Sequence, residues 1–257
     1  VAFTLATTTV GEADAATNIQ ATLTIGSNTL ENDAVFSVTP STTNAETTDY
    51  DSGAFPKTIT FAAGSGNGSG LTQNTTFDPA DDTLVEGSET VTLTLAATSG
   101  AATVGTQSTN AVTITDADSA TVSFQSATTT IGEDAATPNI TLVLNTAAGN
   151  TLENNATITV SATNGSAETT DYDSGSFPKT VTFTGGQGNG GTQTVSFDPA
   201  SDTLVEGDET VTLAVVNGTL LTGSGQTTNA VTITDADAAS VAFTLATTTV
   251  GEADAAT

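Results

Sequence analysis

The chain has 257 residues, with 29 acidic residues against two lysines, a net charge of −27, and no histidine, cysteine, methionine or tryptophan. That balance excludes nucleic acid as a partner, since binding phosphates takes clustered Lys and Arg, and it disfavours anionic membranes. It also excludes a disulfide framework, thiolate or imidazole metal sites and catalysis by Cys or His, and no apolar run approaches the roughly 20 residues of a membrane span.

In chain order the sequence predicts seven strands in its first half, over 2–10, 19–25, 34–39, 57–61, 71–77, 90–96 and 111–115. The alternation is of strand type: in TVTLTLA, Val91, Leu93 and Leu95 point one way while Thr92 and Thr94 point the other. Clusters of Gly, Ser and Asn separate the runs, and no stretch carries a helical spacing of apolar residues. The expected fold class is all-β, an antiparallel sandwich.

The sequence then repeats itself. DPADDTLVEGSETVTL (78–93) returns as DPASDTLVEGDETVTL (198–213), TDYDSGAFPKT (48–58) as TDYDSGSFPKT (170–180), and NAVTITDAD at 110–118 and 229–237. VAFTLATTTVGEADAAT stands at 1–17 and again, letter for letter, at 241–257, a period of 240 residues. The expected organisation is therefore one repeat over 1–118, a second over 119–237, and the first strand of a third over 238–257. A lone strand cannot bury its apolar face. Either the parent chain continues, which a long repeat array favours, or a neighbouring copy completes the sandwich.

If successive strands run alternately up and down, the segments after strands one, three, five and seven share a pole. These are GEADAA (11–16), ETTDYDSG (46–53), DPADDTLVEG (78–87) and DAD (116–118), which hold most of the unit's carboxylates. The opposite pole receives GSNTLEND (26–33), GSGNGSG (64–70) and SGAATVG (99–105), of which only the first is acidic. Gathering so many acids at one pole is costly unless a cation neutralises them, and self-repulsion of the whole chain points the same way. Oxygen-only donors on irregular loops suit Ca²⁺ better than Mg²⁺, zinc or copper. A merely solvated acidic face is the alternative.

The ordered set TTTVGE, TTDYDSG, DDTLVEGSET and AVTITDAD resembles the Calx-beta domain, and the resemblance spans nearly the whole of both repeats. It implies tandem immunoglobulin-like sandwiches that bind calcium where one domain joins the next. The ligands it implies are Glu12, Asp49, Asp51, Asp82, Asp116 and Asp118 in the first repeat. In the second they are Glu133, Asp171, Asp173, Asp202, Asp235 and Asp237. Asn44 and Asn164 stand where calcium-sensing members carry an Asp, and their closing run of three Asp reads Asp-Ala-Asp here. For Glu86, Glu89, Glu206 and Glu209, ligation, turn capping and exposure to solvent all stay open. Asp-Ala-Asp lies in the linker, so a cation there would bring the next repeat's Glu153 close.

Lys57 shares strand parity with Phe55, Ile59 and Phe61, so it starts on the inward face beside the acidic pole. Pairing with a carboxylate is the leading expectation for it and for Lys179, with plain exposure or an isopeptide bond as alternatives. The expected role is structural: a calcium-stiffened spacer, or head-to-tail filament segment, of an extracellular bacterial surface or matrix protein, with adjacent repeats or identical subunits as partners. An adhesive module for glycan, another surface or ice is the alternative, since rows of Thr line the strands. An enzyme is not expected, because the paired acids recur in each repeat without a cleft signature. Triplets such as those at Asn67, Asn74 and Asn155 match glycosylation acceptors.

Overall fold

The computed structural model describes residues 1–66 and 71–252. Asn67 of the NGS triplet, the end of the 64–70 loop and the last five residues of the recurring segment lie outside them. Among the described residues there is no α-helix, only two short 3₁₀ turns at Ser52–Ala54 and Ser174–Ser176.

The first half forms β1 (Ala2–Phe3), β2 (Thr7–Gly11), β3 (Thr17–Leu23), β4 (Ala34–Thr42), β5 (Lys57–Phe61), β6 (Leu71–Phe77), β7 (Leu84–Val85), β8 (Glu89–Ser99) and β9 (Thr109–Thr115). A sheet ordered β2-β9-β8-β4-β5 faces one ordered β1-β3-β6. Strands β3, β5 and β8 run against the others, so the acidic loops do share a pole. Phe36, Phe61, Phe77 and Leu93 fill the space between the sheets. Removing each such side chain from water contributes about 1.5–3 kcal/mol.

The continuous strand expected over 2–10 is broken. β1 pairs antiparallel with β3, then the chain crosses and β2 lies parallel to β9 in the other sheet. Phe3 and Val10 are both buried, yet an odd number of positions separates them. One unbroken pleated strand would send them to opposite faces, so the crossover is what lets both reach the core. The buried Asn110 holds it in place, its Nδ2 donating 2.9 Å to the Leu5 carbonyl and 3.1 Å to Thr8 Oγ1.

The second half repeats the plan with β10 (Ala120–Phe124), β11 (Thr128–Gly132), β12 (Asn139–Thr146), β13 (Thr151–Leu152), β14 (Ala156–Asn164), β15 (Lys179–Phe183), β16 (Thr192–Ser196), β17 (Glu209–Thr219), β18 (Leu221–Gly223) and β19 (Thr228–Thr234). Its sheets are β11-β19-β17-β14-β15 and β16-β12-β10-β18. Phe124, Phe183, Phe197 and Leu213 form a separate core. Among the described residues the segment Val241–Val250 forms no strand, and Val241, Phe243, Leu245 and Val250 are exposed, although Phe3 and Val10 of the identical segment are buried.

The two halves meet at the acidic pole of the first. β7 pairs parallel with β13, Leu84 opposite Thr151 and Val85 opposite Leu152. The Thr151 amide donates to the Thr83 carbonyl at 3.0 Å and the Glu153 amide to the Val85 carbonyl at 3.2 Å. Val85, only 2% exposed, packs into the core of the second half.

Candidate metal centres at the acidic poles

Each acidic loop is shaped by its own backbone. Asp116 follows β9 directly, and its two carboxylate oxygens accept the amides of Glu86 and Asp118, both at 2.6 Å. Asp82 accepts the Leu84 amide at 2.7 Å, which sets the turn into β7. Asp49 accepts the Glu46 amide and the Thr48 hydroxyl. The second repeat reproduces this: Asp235 accepts the amides of Glu206 and Asp237 at 2.6 and 2.7 Å, and Asp202 accepts the Leu204 amide at 2.7 Å.

Three groups of carboxylates result at the joint, each with oxygens within 4.8 Å of one another: Glu12, Asp116 and Asp118; Asp49, Asp82 and Glu86; and Glu86, Glu89 and Glu153. Glu86 belongs to two of them, and Glu153 comes from the other repeat. At the far pole, Glu133, Asp235 and Asp237 form one group and Asp171, Glu206 and Glu209 another. Asp202 joins Glu133, Asp171, Glu206, Glu209 and Asp235 around a cleft of about 10 Å³. That is the room of a single ion or water, far below the roughly 300–1,000 Å³ of a small-molecule pocket.

Asp51 and Asp173 are placed elsewhere. Asp51 pairs with Lys57 and Asp173 with Lys179, the second at 2.5 Å. Lys57 Nζ also donates to the Thr76 carbonyl at 2.6 Å and to Thr76 Oγ1 at 3.1 Å, and lies 4.6 Å from the centre of the Phe55 ring. All three ammonium protons therefore have acceptors, the pairing read as the leading expectation for these lysines.

The glutamates left open from the sequence now have positions. Glu89 is 6% exposed, and its Oε2 has no hydrogen-bond partner. A signal for it was present: Glu89 shares strand parity with Val91, Leu93 and Leu95, so it faces inward. Asn44 braces it from behind, donating 3.1 Å to the Ser88 carbonyl and accepting the Thr90 amide at 3.0 Å. Asn164 instead accepts the Tyr172 hydroxyl at 2.6 Å. Glu12, 5% exposed, likewise has an unpartnered Oε1, and Asp237 an unpartnered Oδ2.

Burial and crowding hold protons on these groups when no cation is present. Burial, then a hydrogen bond that the protonated Glu89 donates to Asp49 and the Asp49 charge, pushes Glu89 up to about 9. Burial and the nearby charges of Glu153 and Asp49 raise Glu86 to about 8. Burial, with Asp116, Asp82 and Asp118 around it, raises Glu12 to about 7. Glu209 rises to about 7 through burial and its hydrogen bond with Asp171. The donor set is oxygen only, it is partly dry, and it contains orphaned carboxylate oxygens. Those features fit a hard divalent cation such as Ca²⁺, which takes six to eight oxygens on irregular loops.

No family model and no curated protein matches the chain. Solved structures similar to it include the CBD12 of CALX1.2, 13% identical with a TM-score of 0.39 over 90% of this chain and 98% of that one. The apo-form Calx CBD1 domain is 16% identical, with a TM-score of 0.38 over 46% of this chain and 98% of that one. Domains 4 and 5 of the S-layer protein SbsC are 14% identical, with a TM-score of 0.26 over 56% and 64%.

Proposed function

We propose that the chain is a structural spacer of Calx-beta-like repeats, spanning 1–118 and 119–237 and followed by the first strand of another, in an extracellular surface or matrix protein. Its joints are stiffened by calcium. The observation that carries this reading is the convergence, at one seam, of buried carboxylate oxygens without partners from the first repeat and Glu153 from the second.

Glu12, Asp116 and Asp118 would hold one cation, and Asp49, Asp82, Glu86 and Glu89 another, with Glu153 reaching in from the next repeat. Bound there, calcium neutralises the charge and ties linker, loops and neighbour into one body. The role of the chain's own residues is to aim the oxygens: Asp116 is fixed by two amides and Glu89 by the strand behind it. Asp51 and Asp173 serve the lysine pairs instead.

Small-angle scattering of the whole chain tests the reading. With calcium the longest dimension is expected to grow and the distance distribution to sharpen, and chelator should reverse both. Identical profiles in the two conditions would defeat it.

A further inference from the structure

Leu220 alone among the described residues other than glycine has a positive φ, 64°. It forms the corner between β17 and β18, bridged to Thr157, while the adjacent Leu221 fills the second core. A left-handed backbone strains an L side chain, so a leucine kept there needs a physical reason. The corner itself does not supply one. Nine residues on from the equivalent Val91 and Val211, the first repeat has Gly100 where the second has Leu220, and Gly100 turns at φ 90°. A Cβ at Gly100 would stand 2.6 Å from the Asp33 carbonyl oxygen and 2.7 Å from Ala34 Cα, so the first repeat cannot carry a side chain at this corner.

Leu220 stays out of its own core and meets the first repeat instead. A methyl added at Gly87 would stand 3.5 Å from Leu220 Cδ2, an ordinary contact distance. Gly87 follows Glu86, and Val85, on the other side of that glutamate, is buried in the second core. The second repeat thus grips the loop on both flanks of Glu86, which belongs to two of the carboxylate groups at the seam. Just beyond, the first repeat holds the loop itself, through Asn44 on the Ser88 carbonyl and the Thr90 amide.

We propose that Leu220 is a positioning residue for the seam. From the second repeat it holds the Val85–Glu89 loop of the first, and so sets where Glu86 and Glu89 aim. The contact is apolar on one side and backbone on the other, so neither salt nor the charge on Glu86, Glu89 and Glu153 weakens it. The strained corner in one repeat keeps the ligand loop of the other already set. Its effect on calcium rests on the function proposed above, whereas the contact itself does not.

A double-mutant cycle on the whole chain tests this, with urea unfolding in chelator to read the contact and calorimetric calcium titration to read its effect on the site. Leu220→Asn keeps the left-handed backbone, which Asn adopts readily, but gives up the reach. Leu220→Met keeps the reach. Gly87→Ala sets a methyl against Leu220, and the cycle cancels whatever that methyl does to the loop alone. In chelator, Gly87→Ala is expected to favour the folded chain about twofold or more beyond what it does in the Leu220→Asn background. Leu220→Asn should weaken calcium binding at the joint by about threefold to tenfold, and Leu220→Met should bind like the parent. Equal effects of Gly87→Ala in the two backgrounds overturn the proposal, and so does a Leu220→Asn variant that binds calcium like a calcium-binding parent. A parent that binds no calcium, with the coupling in urea intact, overturns the function proposed above and leaves the Leu220 contact standing. Calcium binding in the parent without that coupling does the reverse.

Discussion

Glu86 and Glu153 belong to different repeats, yet their carboxylate oxygens lie within 4.8 Å of each other across the seam. In a metal-free chain two charges there would repel, which is part of what raises Glu86 to about 8. With calcium between the loops the contact becomes a shared ligand environment. Glu153→Gln is therefore expected to weaken calcium binding at the joint by about tenfold, the scale on which groups supporting a metal site act. Glu31→Gln, at the exposed counterpart, should leave it unchanged in dilute solution. Calorimetric titration of both variants reads the difference.

Glu89→Gln should have opposite effects in the two states. Without metal it removes a buried acid that must stay protonated or pay for desolvation, so the melting temperature is expected to rise by a few degrees, about 1 kcal/mol. With calcium the variant lacks a ligand charge, and the stabilisation that the ion gives should shrink. A variant that falls in both conditions would mean that Glu89 serves packing alone.

The metal-free chain should be less stable at higher pH. Glu89, Glu86 and Glu12 are raised to about 9, 8 and 7 in the folded state, above the ordinary glutamate value of 4.5. Between 4.5 and those values the folded chain binds more protons than the unfolded one, so unfolding is favoured as pH climbs through that window. Thermal melts in chelator should decline from pH 5 to pH 9. Calcium, which replaces the protons, should flatten or invert the trend.

Lys57→Met is expected to destabilise the first repeat by about 1–3 kcal/mol, because it strands the half-buried Asp51 without its cation. Lys179→Met should do the same to the second through Asp173. Urea unfolding measures both. The intact mass of the parent chain should equal that of the unmodified sequence, since an ammonium with three acceptors is the species at each lysine.

Much of this was legible from alternation alone. The stretch around Val91, Leu93 and Leu95 lies in β8, and the acidic loops come to one pole because they follow β2, β4, β6 and β9, between which β3, β5 and β8 run the other way. The break between β1 and β2 was hidden by an apolar run that reads as continuous, although the odd spacing of Phe3 and Val10 betrays it. The role of β7 was beyond local reading: LV in DTLVEG finds its partner only in the next repeat, and nothing within its own unit demands a strand there. Asp51 resembles its neighbour Asp49 in sequence, but the chain turns Lys57 back towards it and the two form an ion pair, a contact between segments that spacing alone does not show.

The parallel pairing of β2 with β9 has a consequence for a chain that is pulled. Within a repeat these are the entering and leaving strands, joined over Thr7–Gly11 and Ala111–Thr115. Tension applied through them draws the two past each other, so the ladder is sheared as a block instead of unzipped bond by bond, and β11 with β19 repeats the arrangement. Glu12 and Asp116 stand immediately beyond the ends of that ladder. An ion gripped by them would act as a clasp at the point where extension must begin.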